Sequence, residues 1–269
     1  MKLSEAISIL TSAGVENPRH DAREIFRRIG RLRDYELISA NAESDIPELI
    51  SAVERRALRE PLQYILGTVD FYREIYEVTP DCLIPRQETE LLVDFAVKNI
   101  PCGKSFVDLC TGSGCIAIST LSNTKDTAGI AVDLSESALR VAERNSKRNG
   151  VFERITFACK DVLTEPVTES VFAVLSNPPY VTESAYAELE PEIYKEPKIA
   201  FVAGEDGLIF YRRIIALYKN KIEPDGFFAF EIGYDQGAAL RELARLHGMS
   251  AEIIKDYSKN DRIAILRLK

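Results

Sequence analysis

From residue 105 to the C-terminus, short apolar runs alternate with longer stretches of helical period, and no other feature of the 269-residue chain limits its fold as strongly. The spacing predicts strands over 105–109, 128–132, 155–159, 171–176 and 227–232. It predicts helices over 115–121, 135–149, 206–218 and 236–246, the second capped by Ser135 and closed by Gly150. Strands that are apolar throughout are buried on both faces, and strand–helix–strand repeats join parallel neighbours. The last two strands, 251–254 and 263–268, have too little chain between them for a crossover helix, so an antiparallel pair is expected there. The expected class is α/β, a mostly parallel sheet with helices on both faces.

The first 66 residues lack strand-like alternation. Leu3, Ile7 and Leu10, and then Ala22, Ile25, Phe26 and Ile29, recur at helical spacing. Gly30 can end the second helix, and Ser44-Asp45 can start a third that continues from Leu49 to Leu58. A small N-terminal helical bundle over 1–66 is therefore expected. Its ten Lys/Arg and eleven Asp/Glu nearly cancel, yet Arg19, Arg23, Arg27, Arg28, Arg31 and Arg33 cluster. That cluster is either a solvated helix face or a docking face for an anionic partner surface. Residues 67–85 read as a hairpin linker, with extended stretches at 67–72 and 77–80, and residues 86–269 as the sheet domain.

Bulk composition serves mainly to exclude. Apolar and charged fractions of 46% and 28% suit an ordinary globular chain, and no apolar run reaches the roughly 18 residues of a membrane span. The early acid Glu5 argues against a secretory leader, so a cytoplasmic setting is expected. Cys82, Cys102, Cys110, Cys115 and Cys159 are scattered without a Cys-x-x-Cys pair, and His20 and His247 are the only imidazoles. Free thiols follow, with no zinc site, no disulfide framework and little support for Ser-His or Cys-His catalysis. The net charge of −8 disfavours a nucleic-acid backbone as partner.

The first strand of the sheet domain runs into Asp108-Leu109-Cys110-Thr111-Gly112-Ser113-Gly114-Cys115-Ile116. Glycines let the backbone turn sharply and approach a ligand, and the following helix offers free N–H groups. Asp133 ends the second strand 19 residues after Gly114, where a carboxylate can accept from both ribose hydroxyls. The alternative is a helix-start aspartate beside Ser135. Ala117 stands where a dinucleotide loop has its third glycine, and the Gly-Lys-Ser/Thr of a phosphate-cradling loop is missing. A ligand with a ribose but no pyrophosphate fits better. Asp161, after the third strand, either meets an adenine amino group or caps the following turn. In the first case Val162 packs on the adenine.

Asn177-Pro178-Pro179-Tyr180 directly follows the apolar run from Val171 to Leu175. Two prolines fix φ and remove two backbone donors, so the turn presents mainly carbonyl acceptors. The Asn177 side-chain oxygen adds one more, and Tyr180 offers an aromatic face. A planar –NH₂ fits such a pocket, whether it belongs to an amide or to a base. Tyr180 is either a wall of that slot or a partly buried aromatic of the turn. The acid-rich stretch 181–204 is either a surface loop beside the pocket or a solvated linker.

The segment from Asp108 to Ile118 resembles the cofactor motif of class I S-adenosylmethionine-dependent methyltransferases. Taken with Ile84-Pro85-Arg86-Gln87-Glu88-Thr89-Glu90, Asn177-Pro178-Pro179-Tyr180 and Glu231-Ile232-Gly233, the chain is similar to the release factor glutamine methyltransferase family. Pro61 to Gly67, Glu196-Pro197 and Asp206-Gly207-Leu208 extend the likeness over nearly the whole chain. The resemblance implies a Rossmann-like, seven-stranded, mostly parallel sheet with an antiparallel last strand. It implies S-adenosylmethionine as methyl donor. The implied substrate is the glutamine in the Gly-Gly-Gln loop of class I peptide chain release factors, methylated at N(5). It also implies that the helical domain docks the protein substrate, without direct nucleic-acid or membrane binding.

On the same likeness, Cys110, Thr111, Gly112, Ser113, Gly114, Asp133, Asp161, Val162 and Asn177 contact the cofactor, with Thr111 to Gly114 along its methionine part. Asn177 and the Pro178 carbonyl accept the two amide hydrogens of the substrate. Asn177, Pro178 and Tyr180 form the catalytic set, and Pro179 completes the substrate slot. Two positions depart from the family pattern: Cys110 replaces a glycine, which raises the question of how closely the backbone can approach the cofactor, and Gln87 replaces a proline. An N(6)-adenine methyltransferase of DNA or RNA would share the planar amine. The charge of −8 and the lack of a basic domain or surplus aromatics oppose it. A non-catalytic cofactor-binding scaffold is opposed by the intact Asn-Pro-Pro-Tyr turn.

Overall fold

The computed structural model describes residues 1–39 and 42–269. The chain divides into two compact units, Met1–Val69 with Glu190–Lys195, and Asp70–Leu189 with Glu196–Lys269. In the smaller unit, α1 (Leu3–Ser12), α2 (Pro18–Arg28), α3 (Pro47–Ala57) and α4 (Leu62–Leu66) form the helical bundle. Leu3, Ala6 and Leu10 of α1, Ala22, Ile25 and Phe26 of α2, and Leu49, Ala52 and Val53 of α3 share one apolar core. Pro18 and Pro47 each open a helix, where the missing N–H costs nothing and φ is preset. The third helix therefore starts at Pro47 with Ile46 as its cap, not at Ser44-Asp45. Ser44 is used elsewhere: its N–H donates to the Met1 carbonyl and its carbonyl accepts from the Met1 amino group.

A buried ion network ties the 190–195 segment into this unit. Arg56 donates to Asp21 at 2.7 Å and to Glu192 at 2.9 Å, and Arg59 grips Glu192 through Nε and Nη2, each at 2.6 Å. Two guanidinium groups on one carboxylate hold the Glu192 carboxyl below its usual range, although burial works the other way.

The hairpin consists of β1 (Thr68–Phe71) and β2 (Glu74–Glu77). Its second strand starts at Glu74, earlier than the pattern suggests. The turn is Tyr72-Arg73, and Tyr72 takes φ +58°, a place where glycine or asparagine would have given a visible signal. In the larger unit the chain continues through α5 (Glu90–Asn99), β3 (Ser105–Leu109), α6 (Cys115–Ser122), β4 (Ala128–Asp133) and α7 (Glu136–Arg148). β5 (Ile155–Cys159), β6 (Val171–Ser176), α8 (Glu183–Tyr186) and α9 (Ile209–Tyr218) follow. β7 (Ile222–Glu231), α10 (Gly237–Leu246), β8 (Met249–Lys255) and β9 (Asp261–Leu268) end the chain. The α5 helix is absent from the pattern reading, because its run of apolar residues has no clean period to separate helix from strand.

The sheet has seven strands in the order β5-β4-β3-β6-β7-β9-β8. Neighbours from β5 to β7 are parallel, while β9 is antiparallel to both β7 and β8. The antiparallel last strand and the expected pairing of the final two strands are both present. Alternate residues face opposite sides of the sheet. Val107, Leu109, Val132, Val174, Phe228 and Phe230 pack with Tyr211, Ile214, Ile215 and Tyr218 of α9 and with Leu240 and Ala244 of α10. On the other side the Phe95 ring of α5 meets Phe227 edge-on at 5.2 Å. Chain order reverses between β3 and β6, so the loops leaving those two strands diverge and leave a crevice. Among the described residues, no helix is long and apolar enough to cross a membrane.

Candidate active site

β3 and β6 are in register to their last residues, with Leu109 opposite Ser176. The Ser176 hydroxyl donates to the Leu109 carbonyl at 2.6 Å and locks the two strand ends together. One step further along each strand lie Cys110 and Asn177, so the glycine-containing loop and the Asn-Pro-Pro-Tyr turn begin side by side at the switch point. A cavity of about 290 Å³ opens there, toward the lower end of ligand-sized clefts. Cys110, Gly112, Asp133, Asp161, Val162, Asn177 and Pro179 all line it. Thr111, Ser113, Gly114 and Pro178 are buried behind the lining, and Tyr180 is half-buried beside it.

The loop after β3 is held by three local devices. The Asp108 carboxylate accepts from the Thr111 hydroxyl at 2.6 Å and from the Ala117 N–H at 3.2 Å. Thr111 N–H donates to the Val132 carbonyl, and Gly114 N–H to the Thr111 carbonyl. Cys110 occupies the left-handed region at φ +60°, as Gly112 (φ +54°) and Gly114 (φ +83°) do. The cysteine thus sits in a conformation that favours glycine, at a cost of about 1–2 kcal/mol for a residue bearing a Cβ. Burial pushes its thiol well above the ordinary range, which disfavours the reactive thiolate. Gly114 has no room for a side chain: a Cβ there would sit 2.8 Å from Ile118 Cδ1 and 3.0 Å from the Ala142 Cβ.

Asp133 ends β4 and accepts from Gly112 N–H at 2.8 Å and Ser135 N–H at 2.9 Å. It joins the loop to the start of α7 while its carboxylate lines the cavity. Burial raises its pKa, and the backbone donors from Ser135 and Gly112 oppose that rise. Asp161 does cap the following turn, accepting from Leu163 N–H at 2.9 Å, and it lines the cavity as well. The two readings of this residue are compatible. The Asp108 Oδ1 atom is buried without a hydrogen-bond partner among the described residues. Burial drives that carboxyl up to about 7 against its bonds to Thr111 and Ala117.

Asn177 is held from behind. Its Nδ2 donates to the Thr89 hydroxyl at 3.2 Å, and that hydroxyl donates to Glu231 Oε2 at 2.5 Å. Tyr180 OH reaches Glu231 Oε1 at 3.5 Å, and Tyr211 OH donates to the Glu231 carbonyl at 2.9 Å. Gln236 Nε2 donates to the carbonyls of Tyr180 and Gly207, closing the turn from the other side. Glu231 is 2% exposed, and burial pushes its carboxyl up to about 7 against the bond from Thr89.

Several lining residues were not among the expected site residues, and of these only Pro197 stands in a segment that carries the family likeness. Asp81, Cys82 and Leu83 come from the end of the linker, and Pro197, Ile199 and Ala200 from the loop after Asn-Pro-Pro-Tyr. Glu196 ties these two walls together, accepting from Ile84 N–H at 3.0 Å and pairing with Arg86. Leu134, next to Asp133, lines the cavity while 53% exposed, an apolar side chain left at an opening.

The comparisons with known proteins agree with this geometry. Residues 2–67 match the model of the PrmC N-terminal domain, and residues 87–198 match that of the methyltransferase small domain. A release factor glutamine methyltransferase of Moorella thermoacetica is 34% identical over 97% of this chain and 95% of its own length. The chain belongs to the release factor glutamine methyltransferase family. A second member of the release factor glutamine methyltransferases, from Thermodesulfovibrio yellowstonii, is 35% identical over 92% of this chain and 91% of its own length. The fold is shared more widely. The solved ribosomal protein L11 methylase of Lactobacillus delbrueckii subsp. bulgaricus aligns with a TM-score of 0.53 at 17% identity, over 71% of this chain and 84% of that one. Thr89 and Glu231 stand in segments that carry the family likeness, but nothing in the sequence alone assigns them a task.

Proposed function

We propose that this protein transfers a methyl group from S-adenosylmethionine to the side-chain amide nitrogen of the glutamine in the Gly-Gly-Gln loop of class I peptide chain release factors. One observation carries the reading: Asn177 and Pro179 line the same cavity as Cys110, Gly112 and Asp133. An amide-gripping turn and a nucleoside-type loop therefore open into one space. Family membership supports the same substrate.

The residues present fit the cofactor. Asp133 offers a carboxylate at the end of β4 for ribose hydroxyls, and Val162 and Leu134 offer apolar surface for a flat base, with Asp161 at its edge. Thr111 to Gly114 shape the loop toward the methionine part. The bound cofactor supplies a methyl carbon made electrophilic by its sulfonium sulfur.

The chain's own work is done on the substrate amide, whose nitrogen lone pair is delocalised into the carbonyl and is a poor nucleophile. Asn177 Oδ1 and the Pro178 carbonyl accept its two hydrogens, return electron density to nitrogen and aim it at the methyl carbon. Fixed acceptors act more strongly as positive charge develops on that nitrogen than in the ground state. Pro179 and Tyr180 wall the slot. No side chain of the turn is a base, so the proton leaves to water after transfer.

Residues 1–66 serve as the substrate-docking domain, 67–85 as the linker and 86–269 as the catalytic domain, working in the cytoplasm. The test is incubation with labelled cofactor and either a purified release factor or RNA, followed by peptide mass mapping. A single added methyl on the Gly-Gly-Gln glutamine is expected. A label on a nucleobase, or on another residue only, overturns the assignment.

A further inference from the structure

An asparagine carboxamide has two orientations of nearly the same shape, and only hydrogen bonding distinguishes them. In the proposed reaction one orientation is productive. Asn177 must face the substrate with its oxygen, because its –NH₂ would meet the substrate's –NH₂ donor to donor. The structure holds a device that makes this choice. The Thr89 hydroxyl has one hydrogen, and it goes to Glu231 Oε2 at 2.5 Å. With that hydrogen spent on Glu231, the hydroxyl turns only lone pairs toward Asn177. It can therefore receive Asn177 Nδ2–H, at 3.2 Å, and cannot serve an oxygen there. The chain of bonds runs one way, from Asn177 through Thr89 to Glu231.

We propose that Thr89 and Glu231 are positioning residues that hold the Asn177 side chain with its oxygen toward the substrate amide. The assignment rests on the reaction read above. Thr89 is 1% exposed and Glu231 2%, so solvent does not offer Thr89 an alternative partner. A buried carboxylate also costs stability, since burial pushes this one up to about 7. A purely structural contact at this point would be served as well by an apolar pair. Tyr211 OH on the Glu231 carbonyl fixes the backbone, Gln236 fixes the Tyr180 carbonyl and Tyr180 OH reaches Glu231 Oε1 at 3.5 Å, while Glu231 Oε2 is the oxygen turned to Thr89 and, through it, to the orientation of Asn177.

Thr89→Val keeps the shape and removes the acceptor, while Thr89→Ser keeps the acceptor. Two measurements on the full chain test the idea. The first is ¹⁵N-resolved NMR of the Asn177 side-chain –NH₂, assigned by its loss in Asn177→Ala. The second is single-turnover methyl transfer to a release factor, with cofactor affinity measured by calorimetry. In Thr89→Val the hydrogen-bonded –NH₂ signal should be lost and the transfer rate should fall about tenfold, the worth of one net hydrogen bond. Cofactor affinity should be unchanged, and Thr89→Ser should restore both signals. Glu231→Gln, whose amide can donate to Thr89 and reverse the chain, should lower the rate in the same way. A Thr89→Val enzyme with parental rate, an unaltered Asn177 signal, or failure of Thr89→Ser to rescue overturns the proposal. If the parent chain methylates no release factor, the functional reading falls, and the NMR arm still decides the orientation.

Discussion

At the residue scale, two of the acidic or amide groups facing the cavity, Asn177 and Asp133, have separable duties. Asn177 projects from the end of β6, and among the described residues no hydrogen bond links its side chain to the glycine loop, so its loss should leave cofactor affinity largely intact. Asn177→Ala should lower turnover about 100-fold or more, as removing a preorganised group does, with the cofactor Kd by calorimetry changed far less. A collapse of cofactor binding in a folded variant would give Asn177 a different task. Asp133 should behave in the opposite way. It already accepts from Gly112 and Ser135, so Asp133→Ala removes the proposed ribose acceptor and the tie that shapes the loop. Cofactor affinity should fall about 10- to 100-fold, the range of one or two charge-assisted bonds. An unchanged Kd would remove the ribose assignment. Cys110 bears on a question the sequence raised: its φ of +60° lies in the region that favours glycine, so the cysteine there carries backbone strain.

At the element scale, the site depends on how closely α6 and α7 approach. Gly114 starts α6 at φ +83° with Ile118 and Ala142 in contact range of any added carbon. Gly114→Ala combines left-handed strain with overpacking and should cost about 2–4 kcal/mol in urea unfolding. A cost under about 1 kcal/mol would show that the two helices can part without penalty. The strands and most helices were legible because their apolar runs have a clear length and period. The hairpin and α5 were not. Tyr72 makes its turn without a turn residue, and α5 is apolar around most of its circumference. Local patterns are silent where tertiary packing, and not local preference, selects the conformation.

At the scale of the whole molecule, buried charge shapes the response to pH. Asp108 and Glu231 are both pushed up to about 7 by burial. Such a carboxyl binds more protons folded than unfolded, so its contribution to stability is fullest at low pH and declines as pH rises from about 4 to about 7. Glu231→Gln removes that decline. The difference in unfolding free energy between variant and parent should move in the variant's favour between about pH 5 and pH 8, measured by urea denaturation at each pH. A difference that stays constant would mean that the Glu231 carboxyl titrates as it does when unfolded. In the smaller unit the opposite logic holds, where Arg56 and Arg59 hold Glu192 in its charged form. The sequence by itself determined the α/β class, the parallel order of the repeats, the antiparallel final pair and the two loops that meet at the crevice. It could do so because period, turn chemistry and strand-to-loop order are local properties that follow the chain. Only the tertiary structure decided which of those loops share a cavity, that Glu196 ties its two walls, and that Thr89 and Glu231 stand behind Asn177. Thr89 and Glu231 lie 142 positions apart along the chain. No local rule links residues so distant, and their meeting is set by strand order and by the burial that leaves these polar groups only one another as partners.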